Sequence, residues 1–427
     1  MGVRHAVVAG GGIGGLAAAV ALNRRGWRVT VCERAPVLTG IGAGIVLAPN
    51  ALRALDSIGL GPDVWAGDAL LGPVGLRTPD GAWLSRTGAG AMSSRYGPPA
   101  RAVHRGSLID ALAAALPPGV VRLGVAVTGV DDTGDTGDTG DTGDPGDTGD
   151  RRGRRGRRGR RDTVVVRTSA GDLRADVVVA ADGMRSVLRG QLFPRHPGLR
   201  HAGEAGWRAV LRGFGPPPRS AAETWGRGER FGIVPLVDGR IYVYATAVCA
   251  TAASGPRTQP ADHHAELTRR FGAWHDPIPA LLDRLGRRNP DPVGVLHHDF
   301  YELASPLPRF HSGRVALLGD AAHAMTPNMG QGGCQAIEDA VVLAHLLAAD
   351  ADVPAALAAY TKARHRRTTR ISSRSRRIGE LARLSHPLAV SARNLVVRAT
   401  PSAVTSRALD TVLGWQPPPG PAPTVRA

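Results

Sequence analysis

Near the start of the chain, Gly10, Gly12 and Gly15 fall in a G-x-G-x-x-G spacing, with Gly11 and Gly14 between them. That pattern serves phosphate chemistry: Gly10 permits a tight turn, Gly12 lets the backbone approach a pyrophosphate, and Gly15 lets a helix pack closely on a strand. Glu33, eighteen residues past Gly15, is placed to accept hydrogen bonds from ribose hydroxyls, which argues for a ribose without a 2′-phosphate. Two later segments add to this. One is Asp182-Gly183; the other is Gly319-Asp320, followed by Pro327 and Gly330-Gln331-Gly332-Gly333. The first segment alone indicates only a dinucleotide, whereas all three in this order point to FAD.

These residues need elements to hold them. His5 to Ala9 reads as a short apolar strand, Ile13 to Arg25 as a helix by its apolar spacing, and Arg28 to Cys32 as a second strand ending at Glu33. The helix start then turns its unpaired N–H groups and positive dipole end toward the phosphates. Gly42-Ala43-Gly44-Ile45 leads to a helix over Asn50 to Ile58, and His104-Arg105 precedes one over Leu108 to Leu116, placing Arg105 to reach a phosphate. Val315 to Leu318 reads as a buried strand with Asp320 at its carboxyl end, where ligands bind in open α/β sheets. The Gly330 to Gly333 turn enters a helix from Gln335 to Ala348. Between Gln191 and Asp299 the texture changes to alternating strands, Ala209 to Arg212, Gly232 to Leu236 and Ile241 to Thr246, a sheet whose polar and aromatic candidates are Trp207, Arg208, Arg230 and Tyr242. Helices follow Pro354, the longest from Ala355 to Leu384. The absence of a second glycine fingerprint argues against an enzyme with two similar dinucleotide domains.

Composition narrows the classes further. The 427 residues are 43% hydrophobic, enough for two or more packed lobes, and contain no apolar run able to span a bilayer. The first strand begins too early to leave room for a leader, so a cytoplasmic protein is expected. Cys32, Cys249 and Cys334 lack metal-ligand spacing and read as small apolar residues, with no metal expected. The net charge of +17 suggests nucleic acid until it is located. In residues 131–161 eight aspartates cancel eight arginines; this repeat, without aromatic residues to stack bases, is expected to be a disordered insertion at a hairpin tip. Eleven basic residues against Glu380 alone lie between Lys362 and Arg398, a run that reads as a solvated face or a site for an anionic partner. Lys362 is the sole lysine, so compositional drift toward arginine explains the excess and no nucleic-acid partner is expected.

The fingerprint through Glu33-Arg34, the segment from Gly42 to Leu60, His104-Arg105, Asp176 to Arg189 and Gly313 to Leu343 together resemble the single-component, FAD-dependent monooxygenases of the p-hydroxybenzoate hydroxylase fold, in the branch of salicylate hydroxylases, urate hydroxylases and zeaxanthin epoxidases. The resemblance implies an α/β protein: a Rossmann-like FAD-binding domain (1–72, 98–190, 300–350) interleaved with a β-sheet substrate domain (73–97, 191–299), then C-terminal helices (351–427). It extends the cofactor set to Arg34, Gly44, Arg105 and Val127 and gives Asp182 and Asp320 to the flavin, with Asp182-Gly183, Ser186 and Arg189 also serving NAD(P)H. By the same resemblance Arg208, Arg230, Tyr242, Pro327 and Asn328 face the substrate, Arg230 and Tyr242 catalytically. Asn328 stands where the urate hydroxylases carry an aspartate, which argues against urate. His297, His298 and His323 belong to the residue type that titrates near neutrality, and none is singled out as a base. The implied reaction consumes NAD(P)H and inserts one oxygen atom from O2 into an aromatic or other electron-rich molecule through a flavin C4a-hydroperoxide, in a monomer or homodimer. A reductase that does not use oxygen and a polyene epoxidase are the alternatives.

Overall fold

The structure is a computed structural model describing residues 3–38, 40, 43–61, 72–132, 163–214, 220–249, 262–288, 294–350 and 352–419. One six-stranded sheet runs in the order His311–Ser312, Val315–Leu317, Val177–Ala180, His5–Ala9, Arg28–Glu33, Val121–Leu123, and every pairing except the first is parallel. The three middle strands are wholly buried, as continuous apolar runs must be when helices cover both faces. The helices Ile13–Asn23 and Gly332–Ala349 pack against each other here and bury most of their surfaces.

A second, seven-stranded sheet runs Leu296–Leu303, Leu199–Leu211, Ile241–Val248, Glu229–Pro235, Ala221–Trp225, Val74–Arg77, Trp83–Thr87. Period-two alternation gives it two different faces. Phe231, Ile233, Val243 and Trp207 pack on the helices His263–Phe271 and Ile278–Arg288. Val210, Val234 and Tyr242 point the other way, against Ala43 and Ala102 of the first lobe. Trp207 therefore lies on the far side of the sheet from Arg208 and is not a site residue; its indole N–H donates to His263 Nδ1.

The stretch Val121 to Val130 divides at Gly124, whose φ of +70° turns the chain. Val121–Leu123 joins the parallel sheet, while Val127–Asp132 pairs antiparallel with Val164–Thr168. The insertion thus connects two paired strands; from residue 133 to 161 it lies outside the described residues, as does the expectation of disorder placed on it.

Three helices end the chain, Val353–Ala382, Pro387–Ala399 and Ser402–Leu413. The reading of the basic run as a solvated face is corrected in part: Arg364 is fully buried, and Arg367 and Arg376 pair with the buried carboxylates Glu338 and Glu302. Charged residues are buried when a partner of opposite sign is already inside, and here those partners sit on other elements. Cys32 and Cys334 are buried as expected, while Cys249 is half-buried beside His201 and Asp299. His201 Nδ1 accepts the Gly203 N–H, so a neutral ring keeps its proton on Nε2, the atom facing Asp299. Among the described residues no helix is long and apolar enough to cross a membrane.

Candidate active site

The register of the parallel sheet brings the three glycine segments together. Ala9, Ala180, Leu317 and Cys32 are aligned across neighbouring strands, so Gly10, Asp182, Gly319-Asp320 and Glu33 all emerge at one carboxyl edge. Close backbone approach makes glycine obligatory at two positions. A Cβ on Gly15 would lie 2.0 Å from the Gly10 carbonyl, and one on Gly10, whose φ is +106°, would lie 2.4 Å from the Ala181 carbonyl. Among the described residues nothing lies within 4 Å of where a Cβ on Gly12 would stand, which leaves its backbone open to an incoming phosphate. Gly14 instead packs on Leu318 and Ala336 and serves the junction between helices. Among the described residues no side chain caps the helix starts at Ile13 and Gly332, so their first N–H groups stay available to an anion or an electron-rich ring.

Glu33 is oriented by accepting the N–H groups of Gly11 (2.6 Å) and Ala35 (2.8 Å), leaving further lone pairs on each oxygen. Arg34 is exposed beside it, and Val127 begins the strand that follows Val125, whose N–H donates to the Glu33 carbonyl. Arg189, buried, ties two segments: its guanidinium donates to Met184 O at 2.7 Å and to Ala321 O at 3.2 Å. Asp182 accepts from Leu188 N with one oxygen, while the other is buried and has no partner among the described residues. Asp320 is exposed, its carboxylate 4.0 Å from where a Cβ on Gly332 would stand.

Beneath this edge lies a buried polar network. Asp339 accepts from Gly319 N (3.1 Å), His323 Nε2 (2.6 Å) and Arg364 Nε (2.6 Å). Although burial opposes its charge, the neighbouring His323 and Arg364 hold its carboxyl at about 2. Glu338 accepts from Arg364, Arg367, Asn50 and Gln335, and Asn50 also donates to Gln331. The turns carrying Asp320 and Gly330 to Gly333 are thereby fixed from below. His323 is part of this scaffold.

Above the edge lies the open face of the seven-stranded sheet. Arg208 sits over the Phe300 ring at 5.7 Å, and among the described residues it makes no ion pair. Burial first, and then Arg208, lowers the pKa of His298, which pairs with Gly206 on this face. Arg105 has an exposed side chain walled by enough protein that burial lowers its pKa, with Asp320 acting against that and Arg208 with it; a cation lining a cleft behaves this way. Tyr242 packs its ring against the Gly44 backbone, and burial raises its hydroxyl pKa. Arg105, Asp320, Arg208 and Tyr242 thus share one neighbourhood between the lobes.

Two expected substrate contacts are directed elsewhere. Arg230 is 3% exposed and donates to Glu204 at 2.6 Å and to Thr246 at 2.9 Å, with Glu223 at 3.6 Å. Asn328 spends its amide nitrogen on Thr326 and on the Ser375 carbonyl of the long C-terminal helix; Pro327 beside it is exposed. Sequence reasoning missed Phe300, Tyr244, Glu223 and Glu204. Tyr244 was within reach of it, because alternation along the strand puts Tyr244 on the face of Tyr242, their rings 5.7 Å apart. Glu204 and Glu223 come from other strands, and no local spacing announces them.

The residues fit a flavin dinucleotide: a backbone cradle that stays open at Gly12, an unpartnered carboxylate oxygen at Asp182, and two uncapped helix starts converge on one edge. The comparisons agree. Residues 157–375 match the model of the FAD binding domain, and residues 8–58 match that of the NAD(P)-binding Rossmann-like domain. The chain is 36% identical over 92% of its length to an aurachin C monooxygenase/isomerase of Stigmatella aurantiaca, covering 93% of that protein. It is 32% identical over 94% of its length to a 2-heptyl-3-hydroxy-4(1H)-quinolone synthase of Pseudomonas aeruginosa, covering 95% of it. Among solved structures, Klebsiella pneumoniae HpxO complexed with FAD and uric acid superposes with a TM-score of 0.81 at 26% identity, over 96% of each chain.

Proposed function

Because the chain belongs to the FAD-dependent monooxygenases that use FAD and NAD(P)H within one polypeptide, we propose that its substrate is a planar heteroaromatic ring of the 4-quinolone kind, held between the flavin edge and the open sheet face. The flavin, once bound and reduced, supplies the activation of dioxygen. The chain supplies position. Gly10, Gly12, Gly15, Glu33, Arg105 and Asp182 would hold the dinucleotide, and Asp320 with the Gly330 to Gly333 turn would hold the ring end. Phe300, Tyr242 and Tyr244 would flank the substrate plane, with Arg208 donating to a ring oxygen and His298, whose protonation desolvation and Arg208 disfavour, beside it. The apolar wall these rings form excludes water from the reacting carbon.

The observation that carries the substrate class is the state of Arg230. Its charge is already matched by Glu204 and Glu223, so the pocket is not built around a carboxylate or a urate anion at that position. Arg230 and Tyr242 accordingly act by shaping the pocket. Division into interleaved FAD and substrate domains with the boundaries expected from sequence, and residence in the cytoplasm, where reduced pyridine nucleotide is supplied, belong to the same proposal. Substrate-stimulated NAD(P)H oxidation across 4-quinolones, salicylate and urate tests it. Quinolones are expected to give the highest kcat/KM; strong stimulation by salicylate or urate alone would overturn the assignment.

A further inference from the structure

The helix Pro387–Ala399 packs inward through Arg393 and the partly buried Val397 and leaves an apolar arc outside. Its buried side carries Arg393, which donates to the Gly226 carbonyl and lies 5.3 Å over the Trp225 ring. Its outer side carries Leu388 at 75% exposure, Leu395 at 68% and Val396 at 65%, with Ala392 and Ala399 also exposed. At helical spacing, positions 388, 392, 395, 396 and 399 form one contiguous arc, and Arg398 stands on its border. Single exposed apolar residues are ordinary; a continuous apolar arc on an outer helix marks an interaction surface. Leu381 before the helix and Val404 after it are exposed as well.

The surrounding charge selects the partner. Arg398 and Arg407 are exposed here while Arg393 is turned inward; the acids nearby are Glu380, Asp410, which pairs with Arg95, and Asp80, which lies within reach of Arg398. Arg86 is exposed on the strand Trp83–Thr87 against which the helix packs, and Arg227 is exposed next to the carbonyl that Arg393 grips. A second copy laid face to face would oppose these arginines to one another, whereas an anionic lipid surface takes the apolar arc into its interface and pairs its headgroups with the basic border. We propose that the helix Pro387–Ala399 is a peripheral docking element for an anionic bilayer. The inference is independent of the substrate assigned above, since none of these residues lines the site.

The test is co-sedimentation of the full-length, FAD-loaded enzyme with phosphatidylcholine vesicles with and without phosphatidylglycerol, at low and high salt. The wild type is expected to sediment with the phosphatidylglycerol vesicles and to be released by salt. A Leu388→Ser, Leu395→Ser double variant should bind them at least about tenfold more weakly while keeping its flavin content and thermal midpoint. Arg398→Glu should reduce the preference for phosphatidylglycerol and leave residual binding. A wild type that ignores phosphatidylglycerol vesicles at low salt, or a double variant that binds them as well as the wild type, would overturn the proposal. So would a wild-type dimer, indifferent to vesicles, that the double variant splits into monomers; the arc would then belong to a second copy of the chain.

Discussion

The carboxyl edge of the parallel sheet and the open face of the seven-stranded sheet are built on different terms. At the edge, position is set by backbone: glycines that nothing else can replace, strand ends in register, and a buried ion network that fixes two turns from below. On the face, position is set by side chains from distant strands, and charges that could serve a ligand are partly spent on one another, as Arg230 is on Glu204 and Glu223. Such a cofactor site admits little change, while the substrate site can alter specificity by pairing or unpairing a single arginine.

The sharpest way to break this contrast is at Gly15. Gly15→Val places a side chain on the Gly10 carbonyl, so purified protein is expected to hold no FAD by absorbance; a yellow variant would contradict the close approach. Next is Arg364→Met, which removes the buried cation shared by Glu338 and Asp339, leaving them Arg367 and His323, and should cost about 3 kcal/mol in denaturant unfolding, with weakened flavin retention. Arg230→Met should cost about 3 kcal/mol because it leaves Glu204 unpaired, a stability loss that a solvent-facing ligand contact would not produce.

The same logic carries a pH dependence. Asp339 is held at about 2, below its ordinary 3.8, so its charged form is favoured in the folded state. Its contribution, about 2 kcal/mol, is present above the ordinary value and is lost as pH falls through the folded one. Unfolding of Asp339→Asn should lack that acid-limb decline, whatever its stability near neutrality. The smallest effect belongs to the substrate face: Arg208→Met should raise KM about tenfold for a preferred aromatic, or about 1.4 kcal/mol, without moving the thermal midpoint. It should also shift His298, followed by NMR, back toward its ordinary value, since Arg208 is one cause of its lowered pKa.

What could be read in the sequence follows the same division. The meeting of Gly10, Gly12, Gly15 and Glu33 at one sheet edge was legible because local spacing and one fingerprint encode a strand, a turn and a helix, and that of Asp182 and Asp320 because their segments resemble those of a known family. Glu204 with Arg230, and Asp339 with Arg364, were not, because each pair joins positions about 25 residues apart on different elements, and their meeting depends on sheet order and helix packing. The C-terminal arginines show the same limit: in an outward charge run by composition, Arg364, Arg367 and Arg376 turn inward where Glu338, Asp339 and Glu302 wait, while Arg366, Arg370 and Arg377 stay exposed.

The most direct test of the central claim is turnover of a 4-quinolone by the purified yellow enzyme with NAD(P)H under isotopically heavy dioxygen. One heavy oxygen atom per product, with NAD(P)H and dioxygen consumed in equal amounts, is the predicted result. Product labelled from water, or NAD(P)H consumed with no oxygenated product from any aromatic offered, would contradict it.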